Sequence, residues 1–382
     1  MISVIEASNI FQKHLKLKPL GLVHPIYADR DYPPFHRVMM DGIAVSLNDY
    51  DSGEREFIIA GIQAAGEQAL TLDDKKTCLE VMTGAPLPNG ADLVIPYEHL
   101  KISSGKAHVI VESERRLFDN VHLKGSDCLA GEIVLNEEAA FIGPHQGIAA
   151  SMGSTFNLHQ GSRILLVSTG LELVEISEKP LDHQIRRSNV YALKTSLELR
   201  GFQVVDMNHL PDDAEVIAKH YQSVVAKYDI LIYSGGVSKG KFDFLPNVWR
   251  DLGVQCHFHE VAQRPGKPLW FGTDKNFHTT IIGLPGNPVS SLVCLHRYVL
   301  GEKPLFVKLA KDVFFKKELT YFLPARLESK DDGHLWATPS EIKNSGEFTA
   351  LAQTHGFLEL PASISHFEKS QVFPFWTWRP FL

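Results

Sequence analysis

Between residues 162 and 302 short apolar runs alternate with segments whose apolar residues recur at helical spacing. Ile164-Leu165-Leu166-Val167 runs into Ser168-Thr169-Gly170, and Val204-Val205-Asp206 leads to Pro211-Asp212-Asp213. Tyr228-Asp229-Ile230-Leu231-Ile232-Tyr233 ends in Ser234-Gly235-Gly236-Val237-Ser238, with a helical pattern beginning near Asp243. Thr280-Ile281-Ile282 ends in Gly283-Leu284-Pro285-Gly286-Asn287-Pro288 ahead of an apolar helix. Ser188 is placed to cap a helix through Leu199, and Asp212-Asp213 to cap one carrying Val216, Ile217, Tyr221, Val224 and Val225. This alternation predicts a parallel sheet with helices on both faces. Ligands bind such sheets in the crevice beyond the carboxyl ends of the strands, where these small-residue loops fall.

The flanking segments follow other periods. Ser3-Val4-Ile5-Glu6 reads as a capping box opening a helix with Ile5, Ile10, Phe11 and Leu15 buried. From about residue 46 to 135 the pattern changes to short strands and glycine-rich turns, the clearest being Phe57-Ile58-Ile59-Ala60, Leu93-Val94-Ile95, His108-Val109-Ile110-Val111 and Ile133-Val134-Leu135. Ala139 to Gly153 reads as a helix returning to the first region. After about Lys303 strand signals return and close on Phe373-Pro374-Phe375-Trp376-Thr377-Trp378, a core strand. Four domains are expected: 1–45 with 136–161, 46–135, 162–302 and 303–382.

Composition narrows the function. The 382 residues, 44% apolar and 22% charged, are ordinary for a globular protein of more than one domain. A formal charge of −7 argues against a general nucleic-acid or anionic-membrane binder. Cys78, Cys128, Cys256 and Cys294 form no C-x-x-C pair, and no apolar run approaches a membrane span. A cytoplasmic location is expected.

Several motifs carry candidate chemistry. Gly235 through Lys241 imitates a P-loop, but Phe242 stands where a magnesium-binding hydroxyl is needed, so nucleotide hydrolysis of that type is excluded. The paired glycines still turn backbone N–H groups toward a common centre suited to an anion. Arg264-Pro265-Gly266-Lys267-Pro268 presents Lys267 on a proline-stiffened loop. His257 and His259 share one strand face but have no further convergent ligand, so they read as a polar face. Asp127, Glu172, Asp212 and Asp243 lie beside turns, where carboxylates ordinarily cap or face solvent. No Ser-His-Asp or Cys-His set follows from the spacing.

In order along the chain these motifs resemble the molybdopterin molybdenumtransferase family, which includes the bacterial MoeA-type enzymes and the gephyrin E domain. The matching residues are Met40-Asp41-Gly42 with Ala44, Met82 through Pro88 with Gly90-Ala91-Asp92 and Glu98, and Asn120-Val121 with Gly125 and Asp127. Thr169-Gly170 with Glu172-Leu173-Val174 and Ile185-Arg186 with Ser188-Asn189 follow. Ser234 through Ser238 with Gly240 and Asp243, Pro265 through Pro268, Gly283 through Ser290 and the weaker Asn344-Ser345-Gly346 complete the series. Val38, Ile43, Glu80, His122, Leu171 and Lys241 depart from the pattern; Glu80 and His122 stand where the family has arginines.

The resemblance implies a multidomain α/β fold: a Rossmann-like parallel α/β domain of molybdopterin-binding type with β-rich inserted and C-terminal domains. It implies insertion of molybdate into adenylated molybdopterin, with release of AMP and molybdenum cofactor, aided by magnesium or another divalent cation. It also implies a homodimer with a shared cleft and contact with the molybdopterin adenylyltransferase. Carried over residue by residue, Asp41, Asp127, Glu172, Asp243 and Lys267 are the catalytic candidates, with Glu172 and Asp243 on the metal. Thr83, Gly170, Ser188, Asn189, Asp212, Ser234, Gly235, Gly236, Ser238, Arg264 and Pro285-Gly286-Asn287-Pro288 are the substrate-binding candidates. The alternative is a non-catalytic pterin-binding or scaffolding paralogue.

Overall fold

The structure is a computed structural model that describes residues 1–382 apart from residues 20, 138–141, 155–157, 160, 239–242, 341–346 and 381–382. Met1–Gly21 and His159–Leu382 form one unit, and Leu22–Leu158 a second. Among the described residues no helix is long and apolar enough to cross a membrane.

Helix α1 (Val4–His14) starts with the expected capping box: the Glu6 N–H donates to Ser3 Oγ and the Ser3 N–H to the Glu6 carboxylate. Its buried stripe is Val4, Ala7 and Phe11, and Ile5 is 71% exposed. The expectation for Ile5 fails because the i, i+3, i+7 face that meets the core runs through the small Ala7; Ile10 and Leu15 only flank it.

The α/β sheet contains β1 (Ile164–Thr169), β2 (Val204–Leu210), β3 (Ile230–Ser234), β4 (Gln255–His259), β5 (Trp270–Thr273) and β6 (Thr280–Leu284), in the order β2-β1-β3-β6-β5-β4. The first four strands of that order pair in parallel. β5 and β4 run antiparallel, unlike the all-parallel sheet expected. The links before and after β5 are short and carry no helix, so they cannot make the long crossover that parallel neighbours require.

Side chains alternate between the two sheet faces. Ile164, Leu166, Ile230 and Ile232 meet α1, α2 (Ser188–Glu198) and α5 (Pro288–Cys294) on one face. Leu165, Val167, Leu231 and Tyr233 meet α3 (Ala214–Val224) and α4 (Leu245–Asp251) on the other. Both faces being covered explains why the strands read as continuous apolar runs.

The C-terminal strands Leu305–Leu309, Thr320–Ser329, Leu335–Pro339, Gly356–Leu360 and Val372–Thr377 close on themselves, because Thr320–Ser329 pairs with both Leu335–Pro339 and Gly356–Leu360. Closure leaves no exposed sheet edge in that ring. Phe322, Phe357 and Trp376 leave its interior to join the α/β core.

In the second unit six strands order as Leu93–Pro96, Gly42–Val45, Thr77–Val81, Glu56–Gln63, Lys106–Val109 and Leu100–Ser103. Gly42–Val45 therefore sits inside a sheet built from the segment expected to begin at residue 46. Gly42 lies so close to this neighbour that an added Cβ would stand 2.0 Å from Ile95 O. Of the helix expected from Ala139, the described part is Gly143–Ser151; Ala139 itself lies outside the described residues.

Candidate active site at the strand ends

Parallel register brings the strand ends to one edge. Thr169 lies opposite Leu210, Ser168 opposite Ser234, and Ser234 opposite Leu284. Gly170, Pro211, Gly235 and Pro285 therefore follow their strands along one rim. The chain crosses from β1 to β2 on one side and returns to β3 on the other, which opens a crevice between the Gly170 and Gly235 loops.

A cleft of about 820 Å³ occupies this rim. Every substrate-binding candidate except Thr83, together with Glu172, Asp243 and Lys267, lines it. Asp41, Thr83 and Asp127 belong to the other unit. Lys241 and Gly240 of the glycine loop, and Asn344-Ser345-Gly346, lie outside the described residues.

Local structure explains how the rim is held. Gly170, Gly235 and Gly236 have φ of +141°, +100° and +65°, which a side chain resists. A Cβ on Gly235 would stand 2.9 Å from both the carbonyl and the hydroxyl oxygen of Thr169. That Thr169 hydroxyl is buried with no hydrogen-bond partner among the described residues. Asn189 Nδ2 donates to Ser234 Oγ at 2.9 Å and to Gly286 O at 2.8 Å, clamping two loops to the first turn of α2. Ser188 is the first residue of that helix and Arg187 its N-cap, so the expected Ser188 cap is not formed. Asp213 does cap α3, accepting from the Glu215 and Val216 N–H groups at 2.9 Å.

The loop bearing Arg264 and Lys267 hangs on buried Gln263, whose Nε2 donates to Pro265 O and Gly266 O at 3.1 Å each. Lys267 is 52% exposed and 4.0 Å from Glu260 Oε1. Arg187 is buried against Glu175, whereas Arg186 donates to Ile176 O at 3.0 Å and Glu178 O at 3.1 Å. The sequence motifs passed over the lining residues Arg187, Gln263, Leu319 and Tyr321, because burial pairing and barrel strands leave no small-residue signature. His257 and His259 are satisfied locally, by Thr273 Oγ1 at 3.0 Å and Val237 O at 2.7 Å.

The acidic side chains divide between the units. Burial raises the Asp212 carboxyl above its ordinary range, opposed by the Leu171 N–H and reinforced by the charges of Glu172 and Asp243. Among the described residues no group of three or more His, Cys, Asp or Glu is arranged to hold a metal. Glu172, Asp212 and Asp243 are carboxylates, the donor type a hard divalent cation takes, and the charges of Glu172 and Asp243 are felt at Asp212. In the other unit Asp41 accepts from the Thr83 N–H at 2.6 Å and its hydroxyl at 2.9 Å, and the Thr83 N–H is the main reason its carboxyl is held below the usual range. Arg37 meets His122 Nδ1 at 3.1 Å and His122 Nε2 meets Asp127 at 2.8 Å.

Asp212 gives a pH test. Its folded pKa is raised, so its stabilising contribution is present below the unfolded pKa, about 3.9, and is lost as pH rises through the folded value. In EDTA, Asp212→Asn is expected to raise the melting temperature at pH 7 by about 1–2 °C, with the gain vanishing below about pH 4. Millimolar magnesium should then stabilise the parent more than the variant. Calorimetric scans across that pH range check both signs, and a variant that melts lower at pH 7 contradicts the prediction.

Three family models match in order: the MoeA N-terminal region (domain I and II) over residues 2–153, the "Probable molybdopterin binding domain" over 165–305, and the MoeA C-terminal region (domain IV) over 307–378. The molybdopterin molybdenumtransferase of a Synechocystis species is 51% identical over 390 residues, covering 99% of this chain and 100% of that protein. The enzyme of the same name from Staphylococcus epidermidis is 28% identical, over 97% of this chain and 94% of its own. The crystal structure of the molybdopterin biosynthesis MoeA protein from Pyrococcus horikoshii superposes with a TM-score of 0.80 at 20% identity, covering 99% of this chain and 100% of that one. At that identity the likeness concerns the fold alone.

Proposed function

The chain belongs to the molybdopterin molybdenumtransferase (MoeA) family, and on that premise we propose that it inserts molybdate into adenylated molybdopterin and releases molybdenum cofactor and AMP. The observation that carries this reading is the 51% identity with a molybdopterin molybdenumtransferase over 99% of the chain. The cleft supplies compatible chemistry. The Gly170 and Gly235 N–H groups are taken by Leu210 O and Leu284 O, which leaves those of Gly236 and Gly286 for phosphate or oxyanion oxygens, and Ser188, Ser234 and Ser238 add hydroxyls. Arg264 and Lys267 supply positive charge for the pyrophosphate or molybdate.

Glu172 and Asp243, with Asp212 beside them, are the residues proposed to hold magnesium or another divalent cation. A cation bound there offsets phosphate charge. Asp41, Thr83 and Asp127 are proposed to act on the cleft of a second protomer, in a homodimer. Sedimentation at micromolar concentration checks this; a fully active monomer contradicts it. A cytoplasmic location and docking with the molybdopterin adenylyltransferase complete the proposal.

The test is AMP release from adenylated molybdopterin with molybdate and magnesium, coupled to reconstitution of an apo-molybdoenzyme. A parent protein that binds pterin and never releases AMP would be the scaffolding paralogue instead. Lys267 gives a second expectation. A charge-assisted hydrogen bond contributes roughly 1.5–3 kcal/mol, so Lys267→Ala is expected to weaken binding of the anionic substrate about ten- to a hundredfold by calorimetry. Its 52% exposure leaves the side chain dispensable for stability, so the melting temperature should stay within about 1 °C of the parent.

A further inference from the structure

The C-terminal barrel contributes Leu319, Tyr321, Phe322 and Pro324 to the cleft, an apolar and aromatic patch beside the loops suited to charge. The Tyr321 ring lies 4.2 Å from the Phe315 ring at an interplanar angle of 14°. Phe315 is buried, so one face of Tyr321 is backed by a fixed aromatic ring. Gln263–Arg264 runs parallel to Thr320–Tyr321 with Arg264 in register with Tyr321, which sends both side chains to the same face of the sheet. The Arg264 guanidinium carbon lies 6.0 Å from the Phe315 ring centre.

Resting on the reading that the cleft takes an adenylated pterin, we propose that Tyr321, backed by Phe315 and flanked by Arg264, is a stacking shelf for a flat nitrogen heterocycle of the ligand. Offset stacking on a tyrosine is favourable for any such ring, and an adjacent guanidinium adds to it. The stack with Phe315 holds the tyrosine in place before the ligand arrives, so little side-chain entropy is lost on binding. The anion-binding loops and the shelf divide the work: the loops hold charge, and the shelf holds a ring. Adenine and pterin share the required chemistry, so the ligand's two ends are separated experimentally.

Binding of neopterin, AMP and inorganic pyrophosphate is measured by calorimetry on the parent, Tyr321→Phe and Tyr321→Leu. The ring that uses the shelf is expected to bind roughly tenfold more weakly to Tyr321→Leu and within about twofold of the parent to Tyr321→Phe. Pyrophosphate should bind all three proteins alike. Whichever of neopterin and AMP responds identifies the stacked ring. A parent that binds a ring while Tyr321→Leu binds it equally well overturns the shelf and leaves the proposed function standing. A parent that binds neither ring overturns both. Equal weakening of pyrophosphate overturns the shelf, because the cleft as a whole has then been disturbed. Should Tyr321→Leu fail to fold, Tyr321→Trp keeps a flat ring, and quenching of its added emission by the bound heterocycle is expected; unchanged emission overturns the proposal.

Discussion

Asp243→Asn is expected to lower AMP release from adenylated molybdopterin by about a hundredfold while leaving pterin affinity within about twofold of the parent. The substitution keeps the shape of the side chain and removes its charge. Asp243 lines the cleft with Glu172 and Asp212, and its charge already acts on the Asp212 carboxyl. A divalent cation held by this group would be worth most as charge builds on the phosphate in the transition state, so the loss falls on turnover. Removing one negative charge also relieves Asp212, which should therefore ionise at lower pH in the variant than in the parent. Single-turnover AMP release and calorimetric pterin binding, measured on the same preparations, check the split. Equal loss in both quantities would assign Asp243 to ground-state binding.

Gly235→Ala should be a strongly damaging single-methyl change in the cleft. Its φ of +100° is disfavoured for alanine, and the new Cβ would stand 2.9 Å from the Thr169 carbonyl and hydroxyl oxygens. Backbone strain and crowding together are expected to cost ~2–4 kcal/mol and lower the melting temperature by about 5–10 °C. Gly253 supplies the control: its φ is +80°, yet nothing lies within 4 Å of a Cβ there. Gly253→Ala should cost only the strain, ~1–2 kcal/mol, and leave pyrophosphate binding unchanged. Gly235→Ala should also weaken pyrophosphate binding sharply, because the Gly235 N–H is held by Leu284 O and the strain would re-aim the following Gly236 N–H. Thermal melts and calorimetry on both variants separate strain from the loss of the anion site.

The rim of the α/β sheet was legible because each strand there is buried on both faces and ends in residues chosen for backbone freedom. Ile164 through Val167 and Ile230 through Tyr233 read as strands from their apolar continuity, and Gly170 and Gly235 mark the turns that follow. The antiparallel partners β4 and β5 carry the same strand signal, and their direction depends on the connections between them. Ile5 is exposed despite its hydrophobicity because the helix packs through the small Ala7. Tyr321 was invisible as a cleft residue because its place follows from pairing with Arg264, far away in sequence. Asp41 and Asp127 could be named only through family resemblance. Their partners Thr83, Arg37 and His122 come from separate strands and turns, and no local period reveals such contacts.

Phe11 of α1 stacks on Phe271 at 4.1 Å and on Tyr298 at 5.5 Å, and the Tyr298 hydroxyl donates to Gln263. Helix α1 therefore helps to brace the loop that carries Lys267, although more than 250 residues separate them in the chain. On the ribosome this imposes a waiting time. The Leu22–Leu158 unit can close on its own contacts as it emerges. Helix α1, already synthesised, has no finished surface to dock against until Phe271 and then Tyr298 follow. Nascent chains arrested once residue 158 has cleared the ribosome but before Phe271 is made should thus hold a protease-resistant Leu22–Leu158 unit and a cleavable α1, and chains arrested well beyond residue 300 should protect both.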